Sequence, residues 1–175
     1  AYLKANFPHE FMTATLNFSI DRTDKIISLK QELEKLEIPF LKPDINFSKE
    51  KFTIERNNSK KSIRFGLSAI KGVGSKSIKS VVLVRKQKGK FISIIDFLKS
   101  VDAEVVNKRQ LEKLIQSGSF DSIETNRSKL FLNVPQFVNL FGSNNYKSTQ
   151  NLLFEEEEIS FEDKNLFNQN IPSWN

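Results

Sequence analysis

The stretch Ile70-Lys71-Gly72-Val73-Gly74-Ser75-Lys76 carries the fold. Two glycines one residue apart stand between a short apolar segment and a run able to form a helix, the pattern of two helices joined by a tight turn. Gly72 permits the positive φ such a turn needs, and Gly74 has no side chain to hold an approaching group off the backbone. The amides of Gly74, Ser75 and Lys76 then open a helix, where unpaired N–H groups and the helix dipole favour an anion. Val73 is expected to plug into the core and hold the turn. Lys71, Lys76 and Lys79 place positive charge around the same point. The predicted chemistry is a phosphate seat that grips a sugar-phosphate backbone and reads no bases.

The charge pattern around the turn points the same way. From Arg56 to Ile95 there are eleven Lys and Arg and no Asp or Glu, whereas the remaining sixteen cations face twenty-one acids. A one-signed block attracts polyanions, nucleic acid foremost. Taken alone, Gly-x-Gly reads more readily as a plain tight turn with solvated lysines. The acid-free block and the helical stretches on both sides favour a helix-hairpin-helix element. A Walker loop would need Gly where Ser75 and Ile70 stand, and a dinucleotide fingerprint would need Gly at Ser77.

Outward from the turn, the apolar spacing predicts a mainly α chain with a small β-hairpin. Pro8 suits the first turn of a helix through Phe11, Met12 and Leu16. Asp21 is expected to cap a second, with Asp24 three residues on and Ile26, Leu29, Leu33 and Leu36 as its inward stripe. Pro39 and Pro43 end the helical region. Phe52 and Ile54, then Ile63 and Phe65, alternate with polar residues around Asn57-Asn58-Ser59 and predict a hairpin. A brief helix is expected over 67–70 and a longer one from Ser75, burying Ile78, Val81 and Val82; the apolar run at 81–84 equally permits a strand, and the motif rather than propensity favours the helix. Ser93 with Asp96 caps a helix over 94–100. The helix over 107–117 turns Leu111, Leu114 and Ile115 inward and stops at Gly118. Asn126 caps a last helix reaching Val134, which Pro135 interrupts or kinks.

Several segments resemble one family. Ser62-Ile-Arg-Phe-Gly-Leu-Ser-Ala-Ile-Lys-Gly-Val-Gly74, Ala1-Tyr-Leu-Lys-Ala-Asn-Phe-Pro-His-Glu-Phe-Met12, Lys42-Pro-Asp-Ile-Asn46, Val106-Asn-Lys-Arg-Gln-Leu-Glu-Lys-Leu-Ile115 and Gly118-Ser-Phe-Asp121 are similar, in collinear order, to the α subunit of bacterial DNA polymerase III. The resemblance covers roughly the first 140 residues. It implies a distal fingers region at 1–66 and, at 67–134, a tandem helix-hairpin-helix module that holds double-stranded DNA behind the active site. The second hairpin would lie ahead of the Asn107 helix; it lacks Gly-x-Gly, so its role is structural, with Lys108 and Arg109 as auxiliary DNA contacts. Template-directed synthesis with Mg2+ held by palm carboxylates is implied for the parent polymerase. No nucleophile-base pair, metal cluster or carboxylate constellation stands in this chain, and His9 suits a surface or capping role. No catalytic residue, metal ligand or cofactor is therefore assigned to this fragment.

The composition shifts after Gly142 to Asn, Ser, Gln and a Glu run at 155–158, so 135–175 reads as a flexible tail, disordered over most of its length. Within it, Gln150-Asn151-Leu152-Leu153-Phe154 resembles the peptide by which bacterial polymerases bind the sliding clamp. Leu153 and Phe154 would fill an apolar pocket while Gln150 serves its polar edge. The other partners implied are the remaining domains and subunits of the polymerase III holoenzyme. The chain opens at Ala1 inside an amphipathic pattern and reads as a piece of something larger. The apolar run at 81–84 is far too short to span a bilayer, and the absence of Cys suits a reducing cytoplasm. A free-standing helix-hairpin-helix DNA-binding or repair protein would account for the basic block, and a clamp-recruiting scaffold for 150–154, but neither accounts for the collinear segments at 1–46.

Overall fold

The computed structural model of the chain describes residues 2–57 and 60–142. Helices α1 (Tyr2–Asn6), α2 (Pro8–Phe18) and α3 (Thr23–Lys35) come first. Strands β1 (Phe40–Leu41), β2 (Thr53–Asn57) and β3 (Lys60–Arg64) follow. After one 3-10 turn at Leu67–Ala69 the chain is helical again, through α4 (Ser75–Lys88), α5 (Ile94–Ser100), α6 (Lys108–Gln116) and α7 (Arg127–Phe141). The class is the mainly α one with a small sheet that the sequence indicates. No helix among the described residues is long and apolar enough to cross a membrane. Of the segment read as a tail, 135–141 belong to α7 instead, while 143–175, with residues 150–154, lie outside the described residues.

The first half packs around Met12, Leu16, Ile26, Leu29, Leu33, Ile38, Phe52 and Ile63. Pro8 is the first residue of α2, where its missing N–H costs nothing. Asp21 does not cap α3. It lies in the preceding turn, where the Arg22 N–H reaches back to Ser19 O, so the helix starts at Thr23 with no side-chain cap. Leu36 is not inward either. It ends α3, Glu37 takes φ 56°, and Ile38 enters the core in its place, its N–H returning to Leu33 O while that of Glu37 returns to Glu34 O. This is a Schellman stop with Glu standing where Gly is usual. The predicted hairpin pairs β2 and β3 antiparallel, with Ile54 opposite Ile63. β1, which alternation over so short a stretch cannot signal, adds to β3 in parallel.

The second half packs around a larger cluster that includes Val73, Ile78, Val81, Phe91, Phe97, Leu111, Leu114, Phe120, Leu130, Val134, Phe137 and Phe141. Phe91, Phe97 and Phe120 meet edge to face in series, with centroids 5.1 and 5.0 Å apart. Ser93 caps α5, Asn107 caps α6 and Asn126 caps α7, each accepting from the amide three residues on. Val82 is only partly buried. Two boundaries differ from the sequence reading. Ile45, from the segment assigned to the first unit, belongs to the second core. And α7 continues through Pro135 to Phe141, carrying fully buried Phe137 into the cluster. A proline inside a helix costs about 3 kcal/mol. Burying two Phe beyond it returns roughly 1.5–3 kcal/mol each, so the helix gains by continuing.

Candidate nucleic-acid interface

The hairpin at 70–74 is built as its glycines suggest at one position and differently at the other. Gly72 has φ 92°, open to glycine at little strain. A side chain there would also stand 3.4 Å from Arg109 Nε and Lys113 Cγ, so α6 packs directly against the turn. Val73 is buried in the core and anchors it. Gly74 is the N-cap of α4 at φ −76°, ψ 132°, a conformation any residue adopts, and a Cβ there would make only ordinary contacts at 3.6 Å. Nothing in the protein requires glycine at 74.

The Gly74 amide is not available to an anion. It donates to Oε1 of Gln110 at 3.1 Å. Gln110 is buried, and its Nε2 donates to Glu104 O at 3.1 Å. One amide side chain thus ties the first hairpin to the loop before α6, leaving both groups satisfied inside the protein. The free donors lie one residue further on. Ser75, Lys76 and Ser77 N–H meet no acceptor among the described residues, and α4 has no side-chain cap. By contrast, at α6 Asn107 Oδ1 takes the Gln110 N–H at 3.0 Å. The unpaired donors are therefore at 75–77, and Gln110 ties the turn before them to the loop before α6. Arg109 lies beside Gly72 as described, whereas Lys108 stands 4.0 Å from Glu112 on its own helix.

Folding brings acids onto the basic block that the linear sequence keeps away. Lys61 meets Glu10 at 2.7 Å, Arg64 meets Glu55 at 2.9 Å, Lys76 meets Glu104 at 3.2 Å, Lys79 meets Glu50 at 3.7 Å, and Lys88 pairs with Asp96. The Ser75 hydroxyl also donates to Glu50, at 2.7 Å. Arg85 turns inward to Ile45 O and Ser48 O at 2.5 and 2.7 Å; burial lowers its pKa, against the pull of Asp44. It is a structural cation. Lys76–Glu104 is exposed on both sides, and such a pair is worth about 0–1 kcal/mol, whereas Glu50, which Lys79 and Ser75 share, is partly buried. Lys71 carries no carboxylate among the described residues. Among the described residues no group of three or more His, Cys, Asp or Glu side chains comes together to hold a metal ion.

A model of the helix-hairpin-helix motif matches residues 37–130. The chain is 37% identical over 174 residues to DNA polymerase III subunit alpha of Neisseria meningitidis serogroup A, covering 99% of this chain and 15% of the relative. It is 39% identical over 156 residues to the subunit of that name from Borreliella burgdorferi, covering 88% and 13%. With that of Saccharopolyspora erythraea it is 41% identical over 130 residues, covering 74% and 11%. The chain belongs to the helix-hairpin-helix family, and it spans about 11–15% of the length of these relatives.

Proposed function

From its place in the helix-hairpin-helix family we propose that the chain holds the sugar-phosphate backbone of double-stranded DNA, behind the active site of a replicative polymerase of the DNA polymerase III α type. The observation that carries this reading is the uncapped start of α4: three free amides at 75–77, following a turn that carries Lys71 and packs at Gly72 against Arg109, and reached over a Gly74 whose backbone conformation does not need glycine. A phosphate there receives N–H donors and the positive end of a 14-residue helix. Lys76 and Lys79 join once they leave Glu104 and Glu50. Bases are not read, so binding is weak and indifferent to sequence.

The test is a titration of unrelated duplexes across a salt series. With two or three phosphates neutralised, log affinity should fall with log salt at a slope of about −2 to −3. A flat salt response, or strong preference for one duplex, would remove the backbone grip.

Two further parts of the reading rest on the relatives and on residues outside those described. Template-directed synthesis is proposed for the parent polymerase, with its Mg2+ ligands elsewhere than in this chain. The chain alone, given primed template, magnesium and nucleotides, is expected to extend no primer; extension by rigorously purified protein would refute the placement. Contact with the sliding clamp is proposed through Gln150, Leu153 and Phe154. Calorimetry with a peptide spanning 148–156 should give a micromolar affinity, lost on changing Leu153 and Phe154 to Ala and kept on changing Asn151. A silent wild-type peptide would strike the clamp from the partners.

A further inference from the structure

We propose a second nucleic-acid contact, beyond the duplex grip: Phe47 is a stacking platform for an unpaired base of a single strand. The ring belongs to neither hydrophobic cluster and is 46% exposed, although it sits on one of the most heavily braced turns in the protein. Within the turn, Asp44 N–H donates to Ser48 Oγ at 3.0 Å, and Asn46 N–H to Asp44 Oδ1 at 2.7 Å. The Asn46 side chain exchanges two 2.8 Å hydrogen bonds with the backbone of Phe91. Arg85 reaches from α4 to hold the carbonyls of Ile45 and Ser48. Residues on both sides of Phe47 are thus fixed by α4 and by the loop after it, while its own ring is left outside. The backbone that displays the ring is thus ordered before any ligand arrives.

Its surroundings select the ligand. Lys90 Nζ stands 4.2 Å from the ring centroid and Arg64 Cζ 5.7 Å. Arg64 is held in place by Glu55 and by Lys42 O. Lys42, Lys49 and Lys90 are exposed and have no carboxylate among the described residues. Lys90 can swing on its flexible stem to a phosphate and leave the ring face to a base. Aromatic face plus unpaired cations is the combination that binds single strands, because every base has a π face and every nucleotide a phosphate. A duplex offers the ring no free base face until a step is unstacked, at a cost of a few kcal/mol. The site lies toward the C-terminal end of α4, and the phosphate seat at its start. Arg85, which holds the turn, stands ten residues along α4 from Ser75, about 15 Å at about 1.5 Å per residue.

The full chain and its Phe47→Ala, Phe47→Leu and Phe47→Trp variants should be titrated by fluorescence anisotropy with a labelled oligothymidylate and, in parallel, with a duplex. Ala and Leu should weaken the single strand alike, by between about 5- and 100-fold, because Leu keeps the apolar bulk and lacks the π face. Trp should keep or strengthen it, and the duplex should be unmoved in all three. Thermal melts of the same samples should coincide, since the ring is outside both cores. Failure of the wild-type chain to bind the single strand, single-strand affinity retained by Ala and Leu, or equal losses from strand and duplex would each overturn the proposal. Gly74→Asp separates the two readings: it should remove the duplex and spare the oligothymidylate.

Discussion

Gly74→Asp should abolish duplex binding and leave the chain as stable as before, or slightly more so. The two effects have opposite signs because the same position serves two ends. For the protein, residue 74 is an N-cap at φ −76°, ψ 132°, with space for a Cβ 3.6 Å from Ser77 Oγ. Asp is among the best N-cap residues, and replacing Gly by it gains a few tenths of a kcal/mol. A carboxylate in the first turn of α4 adds about 0.3–1 kcal/mol from the helix dipole. For the ligand, that carboxylate occupies the approach to the amides at 75–77. Two like charges about 4 Å apart near a protein surface repel by about 4 kcal/mol, close to a thousandfold in affinity. Circular dichroism melts and anisotropy titration on one sample decide the matter. A folded variant of full affinity would move the phosphate off this hairpin. Gly72→Asp is the control with the other outcome: at φ 92° and against Arg109 it should lose stability itself.

What was legible in the sequence is what short-range chemistry dictates. The turn at 70–74 could be read because positive φ at Gly72 and the core anchor at Val73 are local requirements. The caps at Ser93 and Asn126 could be read because cap and amide are three residues apart. Gln110 could not. Its side chain looks like any polar residue on a helix, and the amide it satisfies is 36 residues away. The charge block misled for a related reason. A count along the chain records that 56–95 has no acid, yet Glu10, Glu50, Glu55 and Glu104 arrive from outside it in space, while Asp96 stands just beyond its end. The positive field at the hairpin is consequently smaller than the count implies, and the free amides carry more of the argument than the lysines do. Phe47 escaped because an exposed aromatic is unremarkable in sequence; only the bracing of its turn sets it apart.

Phe137→Ala should cost about 3–5 kcal/mol, the largest stability loss expected of a single side chain beyond Pro135. Phe137 is fully buried, in the same cluster as Val134 and Leu130. Against a total stability of about 5–15 kcal/mol, that loss removes a large fraction of the folded state, and for a chain of this length it corresponds to a fall in Tm of roughly 6–20 °C. Leu132→Ala on the same helix is the control: Leu132 is 61% exposed, and its loss should stay within about 0.5 kcal/mol. Urea unfolding of the three proteins measures both. The consequence reaches the interface, because α7 packs on α6, and α6 supplies Gln110 to Gly74 and lays Arg109 against Gly72. Loosening α7 should therefore weaken duplex binding although residue 137 touches nothing there, whereas Leu132→Ala should leave it alone. Were Phe137→Ala as mild as Leu132→Ala, the packed unit would end at Pro135 as the sequence pattern suggests. A large difference would place residues 135–141 inside the helical unit that packs on the hairpin, with the proline carried by the aromatic burial that follows it.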